Sequence, residues 1–327
     1  MPRYTVLITD YAWPELDLER RAFDAQDIRL LAPERSDVDT LARAAAEADA
    51  IMTNWAKVPE AVIAAAPRCR IVARLGIGLD NIDVAAATRR GIVVTNVPDY
   101  CLIEVAEHTL ALLLSLARKV AYYHHDCREG RYDLRAWMPI ARIEGQTLGL
   151  VGLGNIGRLV ARKAQALGLR VIATGRTPRS EPGIEWRRSL DDVLRESDYV
   201  SLHLPMTPAT KHLIGAAQLA LMKPTAYLIN TARGGLIDNA ALAGALAANK
   251  LAGAGLDVQD PEPPDLSVPP WNDPRVIVTP HAAFVSSESL ANLRTRVCQQ
   301  VIDRLEGRRP ENVVNPEVIT PTTGEHS

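Results

Sequence analysis

The run Gly152-Leu-Gly154-Asn155-Ile156-Gly157 has the residue types and the spacing to hold a pyrophosphate. In a strand-turn-helix context the first glycine makes the tight turn and the second lets the backbone approach the phosphates. The third lets helix and strand pack closely, and free N–H groups at the helix start face the anion. The apolar segment LGLV before the run and the segment NIGRLVARKAQALG within and after it supply that context. A carboxylate about 20 residues further on would take the ribose hydroxyls of NAD. The chain has VIATGRTPR there, with no acid from 173 to 177, hydroxyls at Thr174 and Thr177, and cations at Arg176 and Arg179. Such a segment either receives a 2′-phosphate or presents solvated arginines, and it tilts an NAD(P)(H) assignment toward NADP(H). Three more segments place reactive side chains after strand-like runs: Asn230-Thr231-Ala-Arg233, Asp257-Val-Gln-Asp-Pro-Glu262 and Thr279-Pro-His281-Ala-Ala283. Singly, an Arg, Glu or His in a loop is usually solvated. Their shared placement after strands matters more, because parallel sheets bind ligands at that end.

The elements that must position these groups show as short β-branched runs, each followed by a stretch with helical spacing of Leu and Ala. That alternation predicts an α/β protein with parallel sheets. A first series of strands is expected at Tyr4–Thr9, Ile28–Leu31, Ala50–Thr53, Ile71–Arg74 and Ile92–Thr95. One long helix is expected from Cys101 to about His125. Six further strands follow, at Thr147–Val151, Arg170–Thr174, Tyr199–Leu204, Ala226–Asn230, Gly253–Val258 and Val276–Thr279, which suit a doubly wound dinucleotide fold. The proline-rich stretch Asp260–Pro274 is an ordered loop, and Ser286–Glu306 is a final amphipathic helix stopped by Gly307.

Composition narrows the partners. The 327 residues fit about two domains at roughly 150 residues each. With 37 Lys plus Arg against 39 Asp plus Glu, the net charge near −2 leaves no footprint for nucleic acid. The longest apolar run, His108–Ala117, falls well short of the ~20 residues of a membrane span, so no membrane partner is expected. The N-terminus lacks the apolar core of a signal peptide, and the reading is cytoplasmic. Cys69, Cys101, Cys127 and Cys298 are widely spaced and are expected to be four reduced structural thiols. No metal site is expected: His124-His125 lacks a third ligand, and His203 reads as a packing residue. Arg304, Arg308 and Arg309 complement a helix C-terminus.

Taken together, the glycine run, the three strand-end segments, His203-Leu204-Pro205 and the loop Arg74-Leu75-Gly76-Ile77-Gly78-Leu-Asp80 make the chain similar to the D-isomer-specific 2-hydroxyacid dehydrogenase family, in the family's motif order and over nearly the whole length. The resemblance implies a Rossmann dinucleotide domain, residues 101–283, inserted into a flavodoxin-like substrate domain made of 1–100 and 284–327. It implies a homodimer, and an oxidoreductase moving hydride between nicotinamide and C2 of a small 2-oxo or D-2-hydroxy acid. Carried over by position, the active site is Arg233, Glu262 and His281. An imidazole titrating near neutrality can give the carbonyl oxygen its proton. A carboxylate on the other ring nitrogen orients it, and a guanidinium fork holds the substrate carboxylate. Backbone N–H groups at Gly76 and Ile77 complete the carboxylate site as a small anion nest, and Leu75 is implied as a further substrate-binding residue. Cofactor contacts are implied at Gly152, Gly154, Asn155, Ile156, Gly157, Thr174, Arg176, Leu204, Pro205, Thr231, Asp257, His281 and Ala283, with Asp257 on the nicotinamide carboxamide. The reaction would sit in a cleft that closes to exclude water.

Within the family the segments around Phe284, Val97–Cys101 and Glu104–His108 resemble the C-terminal-binding-protein branch, whereas GRTPR resembles glyoxylate and hydroxypyruvate reductases. The alternative function is therefore a corepressor-like sensor of NAD(P)(H) with little turnover. In Arg131–Pro139, Trp137 is expected either to cross a dimer interface toward the neighbour's site or to pack under its own loop.

Overall fold

The structure, a computed structural model, describes residues 2–319. The chain divides into two compact units, one running to Tyr100 and resuming at Ser286, the other Cys101–Val285.

In the first unit, strands β1 (Tyr4–Ile8), β2 (Ile28–Leu31), β3 (Ala50–Thr53), β4 (Ile71–Arg74) and β5 (Val93–Thr95) are all parallel, in the order β2-β1-β3-β4-β5. This is the flavodoxin-like order. The period of two along the strands splits the core cleanly. Val6, Ile8, Met52, Ile71, Ala73 and Val93 pack on one face, and Leu7, Ile51, Val72 and Val94 on the other. The first face is covered by helices Asp17–Asp24 and Ser287–Leu305, through Phe23, Leu293, Val297, Val301 and Leu305. Each such buried side chain contributes roughly 1.5–3 kcal/mol, so the last helix is an integral wall of a unit that begins with residues almost 300 positions earlier in the chain. Ser286 caps that helix by accepting the Ser289 N–H, and Gly307, at φ +80°, ends it. Arg294 donates from Nε and Nη2 to the two carboxylate oxygens of Glu19 at 2.8 and 2.7 Å, both side chains being buried.

In the second unit, β6 (Thr147–Val151), β7 (Arg170–Thr174), β8 (Ile184–Trp186), β9 (Tyr199–Leu202), β10 (Tyr227–Asn230), β11 (Gly253–Leu256) and β12 (Val276–Val278) form a parallel sheet ordered β12-β11-β10-β9-β6-β7-β8. This is the doubly wound dinucleotide order with one strand added beyond the sixth. The sequence predicts six strands here, and the seventh is β8, a three-residue edge strand without a fully buried residue, too short to show a period. The expected long helix is two helices, Leu102–Arg118 and Val120–Arg128, broken at Lys119, whose φ is +59°. A left-handed lysine costs about 1–2 kcal/mol. It is held by its ammonium lying 4.6 Å from the Tyr227 ring centroid and 5.1 Å from that of Tyr122, and by a hydrogen bond to the Tyr227 hydroxyl. Burial pushes that ammonium down to about 8. All four cysteines are free, but Cys127 is exposed, so only three serve the interior.

Candidate active site

Because every strand of the second sheet runs the same way, the residues that follow the strands gather along one edge. Gly152 follows β6, Arg176 lies two residues past β7, His203 follows β9, Thr231–Arg233 follow β10, Asp257 follows β11 and Thr279–His281 follow β12. The order of the strands reverses between β6 and β9, the switch point at which open α/β sheets bind ligands.

The glycine turn fits a dinucleotide. Gly152 has φ +99°, and a Cβ there would collide with the His203 carbonyl oxygen. A Cβ on Gly157 would come within 2.5 Å of the Gly152 carbonyl oxygen, which is the close helix-to-strand approach the motif requires. Gly154, the residue before the helix Asn155–Ala166, has nothing within 4 Å of an ideal Cβ, leaving room at the helix N-terminus for phosphates. Thr174 is buried at the end of β7. Arg176 and Arg179 are exposed, and no ion pair among the described residues engages them. Leu204 packs on the core of this unit, the Pro205 carbonyl accepts from the Thr210 hydroxyl at 2.8 Å, and Thr231 shares a 2.9 Å hydrogen bond with Thr109. His203 sits beside the Ser201 hydroxyl at 2.9 Å, and burial pushes its imidazole down to about 4, so it stays neutral.

Glu262 and His281 meet. His281 Nδ1 lies 2.9 Å from Glu262 Oε2, and the Gln259 backbone N–H donates to Glu262 Oε1 at 2.8 Å. Burial on its own raises the Glu262 carboxyl. The hydrogen bond and charge of His281 outweigh it, helped by the Gln259 N–H and the Arg233 charge, and hold the carboxyl below the ordinary carboxylate range. Arg233 is brought in by backbone packing, since Gly234 lies so close to Gln259 that no Cβ could fit between them. The turn carrying Arg233 is fixed by Asn230, whose Nδ2 donates to the Arg233 carbonyl at 2.8 Å and whose Oδ1 accepts the Ala232 N–H at 3.0 Å.

His281 itself has φ +52°, a left-handed conformation that costs a residue with a Cβ about 1–2 kcal/mol. Its N–H donates to the Asp257 carbonyl at 2.8 Å, and the Asp257 carboxylate accepts from the N–H groups of Ala282 and Ala283 at 2.8 and 2.9 Å. Phe284 stands edge-on to the imidazole, centroids 6.1 Å apart. Sequence reasoning assigned no role to Gln259, Asn230 or His108. Their signal was faint: polar residues at the end of a buried strand, and a histidine in a helix otherwise rich in Leu and Ala.

In the first unit, β4 ends at Arg74, Leu75 is fully buried, and the carbonyls from 75 to 78 are all held. Asn54 Nδ2 donates to the Leu75 carbonyl at 2.7 Å, the Val97 N–H to Gly76 at 3.1 Å, Asn96 to Ile77 at 2.8 Å and Arg74 Nε to Gly78 at 2.9 Å. Among the described residues no hydrogen bond uses the Gly76 or Ile77 N–H, the arrangement of an anion nest.

Trp137 packs on its own chain. Its ring lies 4.7 Å from that of Tyr122 and its Nε1 donates to Asp126 at 2.8 Å. Tyr122 in turn donates to the Arg275 carbonyl, just before β12 begins. The indole is therefore at the end of the sheet opposite Arg233 and His281, with its ring face and N–H both engaged by its own chain. Among the described residues there is no cluster able to hold a metal ion and no helix long and apolar enough to cross a membrane.

A glycine turn at the switch point with an oriented imidazole and a guanidinium along the same sheet edge defines a nicotinamide-dinucleotide oxidoreductase. Residues 110–283 match the family described as D-isomer specific 2-hydroxyacid dehydrogenase, NAD binding domain. A glyoxylate reductase of Aeropyrum pernix is 39% identical over 98% of this chain and 98% of its own length. A crystal structure of a Thermus thermophilus protein superposes with a TM-score of 0.88 at 33% identity, covering 95% of this chain and 99% of that one. The NADPH-dependent glyoxylate/hydroxypyruvate reductase of Sinorhizobium meliloti, in complex with NADP and malonate, gives 0.84 at 30% identity, covering 95% and 97%. The chain belongs to the D-isomer-specific 2-hydroxyacid dehydrogenase family and is an NAD(P)-dependent oxidoreductase acting on 2-oxo and 2-hydroxy acids.

Proposed function

We propose that the protein reduces a small 2-oxo acid of the glyoxylate and hydroxypyruvate class, with NADPH preferred over NADH. The observation that carries the reading is the His281–Glu262 pair at 2.9 Å with Arg233 close enough to bias the same carboxylate. Arg233 holds the substrate carboxylate and polarises the adjacent carbonyl, and the N–H groups of Gly76 and Ile77 form a second anion site in the 1–100 plus 284–327 substrate domain, the Leu75 N–H being committed to the Thr53 carbonyl at 2.8 Å. His281 gives its proton to the carbonyl oxygen as C2 is reduced, and takes it back in the oxidation direction. Glu262 fixes the ring and favours its protonated form. When bound, the nicotinamide supplies the hydride. Gly152, Gly154, Asn155, Ile156 and Gly157 hold the pyrophosphate. Thr174 and Arg176 face the ribose, Leu204, Pro205 and Thr231 line the cofactor, and Asp257 and Ala283 lie at the nicotinamide.

The preference for NADPH rests on the uncommitted cations Arg176 and Arg179 where NAD enzymes carry an acid. Glyoxylate reductases among the relatives, and the NADPH dependence of the Sinorhizobium meliloti enzyme, support the substrate and cofactor choices. We place the enzyme in the cytoplasm, as a homodimer formed across the exposed apolar side chains of Ile103, Val120, Tyr132, Leu134 and Met138. A panel of glyoxylate, hydroxypyruvate, pyruvate and phenylpyruvate, each with NADPH and with NADH, tests the reading. Highest kcat/KM on one of the first two with NADPH is expected. No turnover of any 2-oxo acid refutes the function, and a preference for NADH refutes the cofactor assignment.

A further inference from the structure

Beside the catalytic group lies a second polar cluster contributed by three elements: His108 on the helix Leu102–Arg118, Asp257 after β11 and Thr279 after β12. The Thr279 hydroxyl donates to Asp257 Oδ1 at 2.6 Å, and His108 Nε2 lies 3.0 Å from Thr279 Oγ1 and 3.4 Å from Asp257 Oδ1. Proton counting fixes the directions. An ionised carboxylate only accepts and a threonine hydroxyl has one hydrogen, which goes to Asp257. Thr279 Oγ1 is then an acceptor toward His108, so His108 Nε2 carries a proton. Asp257 is fully buried, and its carboxylate also accepts the Ala282 and Ala283 N–H groups, so it anchors the turn that forces His281 into its left-handed conformation. Among the described residues His108 is the one titratable side chain within ion-pair distance of that carboxylate.

We propose that His108 is a positioning residue: its Nε2–H pins the Thr279 hydroxyl onto Asp257 and thereby holds the 281–283 turn, and with it the His281 imidazole, in the reactive orientation. This rests on the reading of His281 as the proton carrier. Without the donor, the Thr279 hydroxyl is released to rotate, the buried carboxylate loses its fixed partner, and the strained turn relaxes. The bond links residues 171 positions apart, so no neighbour in sequence can replace it.

His108→Leu fills the space without a donor, and His108→Gln places an amide N–H near the position of Nε2. On the best 2-oxo acid with NADPH, His108→Leu is expected to lower kcat about tenfold, the scale of one hydrogen bond in a network with an ionised member. KM for the 2-oxo acid stays within about twofold, and His108→Gln recovers kcat to within about threefold, because binding is untouched and only the reactive geometry has changed. Thr279→Val gives the same loss, and the double variant with His108→Leu loses no more. Parental activity in His108→Leu, equal impairment of the Leu and Gln variants, or multiplying losses in the double variant overturns the proposal. Imidazole nitrogen NMR of the parent protein gives an arm independent of turnover. A protonated His108 Nε2 whose signal changes in Thr279→Val is expected, and an unprotonated Nε2 overturns the proposal even if no 2-oxo acid is reduced, an outcome that would separately sink the proposed function.

Discussion

Replacing Glu262 by Gln keeps the shape of the side chain and one acceptor oxygen for His281 but removes the charge. Two unit charges about 4 Å apart interact by about 4 kcal/mol at an effective dielectric constant of about 20. The His281 and Glu262 side chains are 27% and 32% exposed, so solvent screens part of this, and about half, ~2 kcal/mol, is a fair expectation. At 1.36 kcal/mol per factor of ten, the Gln enzyme should lose roughly 30-fold in kcat/KM for reduction. Initial rates of 2-oxo acid reduction, followed through nicotinamide absorbance, measure the loss. A kcat/KM within about threefold of the parent refutes the assignment of Glu262 as the group that orients the His281 imidazole.

Replacing Arg176 and Arg179 together by Ala should raise KM for NADPH by roughly 10- to 100-fold and leave NADH nearly unaffected, since a lost charge-assisted contact to phosphate costs about 1.5–3 kcal/mol; equal effects on both cofactors would remove the 2′-phosphate reading. Gly152→Ala must displace the His203 carbonyl and leave a left-handed backbone, so dinucleotide binding measured by fluorescence titration should be lost while circular dichroism stays near the parent's. Glu19→Ala leaves the buried Arg294 guanidinium with only the half-exposed Glu15 carboxylate at 3.4 Å and the Glu15 carbonyl at 2.9 Å, and should cost about 3 kcal/mol, the low end for a broken buried pair, in denaturant unfolding of the first unit. For pH, Glu262 is held below the ordinary carboxylate range, so its pairing stabilises the fold above the unfolded carboxyl pKa and that stability is lost as pH falls through the lower, folded value. Between neutral and acid pH, Glu262→Gln should therefore lose less unfolding free energy than the parent, measured by denaturant unfolding at each pH.

The sequence displays what depends on local pattern. The parallel strands show as β-branched runs, the glycine turn as a fixed spacing between a strand and a helix, and Arg233, Glu262 and His281 as residues just past strands. It hides what depends on partners far away in the chain. Lys119 breaks a helix without being Gly, Pro or Asn, because two tyrosine rings, one of them on β10, offset the cost of its left-handed backbone. β8 has three residues and no buried face, so no period identifies it. The strain at His281 follows from acceptors 24 residues away on Asp257, and His108 acquires a role only when the helix bearing it lies against the end of β12. Trp137 could be read two ways because aromatic composition is the same at an interface and on a subunit's own helix.

The return of the chain to its first unit sets an order of assembly during synthesis. Residues 101–285 leave the ribosome before the helix Ser287–Leu305 exists, so the dinucleotide unit can complete its sheet while the first sheet still has one uncovered face, with Val6, Ile8, Met52, Ile71 and Val93 exposed to water. Only when Leu293, Val297 and Val301 arrive, and Arg294 finds Glu19, is that face sealed. A chain cut short before this helix would present a finished second unit and yet a sticky, unfinished first sheet, which protein quality control can recognise. The covalent route of the chain thus makes the unit that begins first the last to be finished, and ties its completion to the helix Ser287–Leu305.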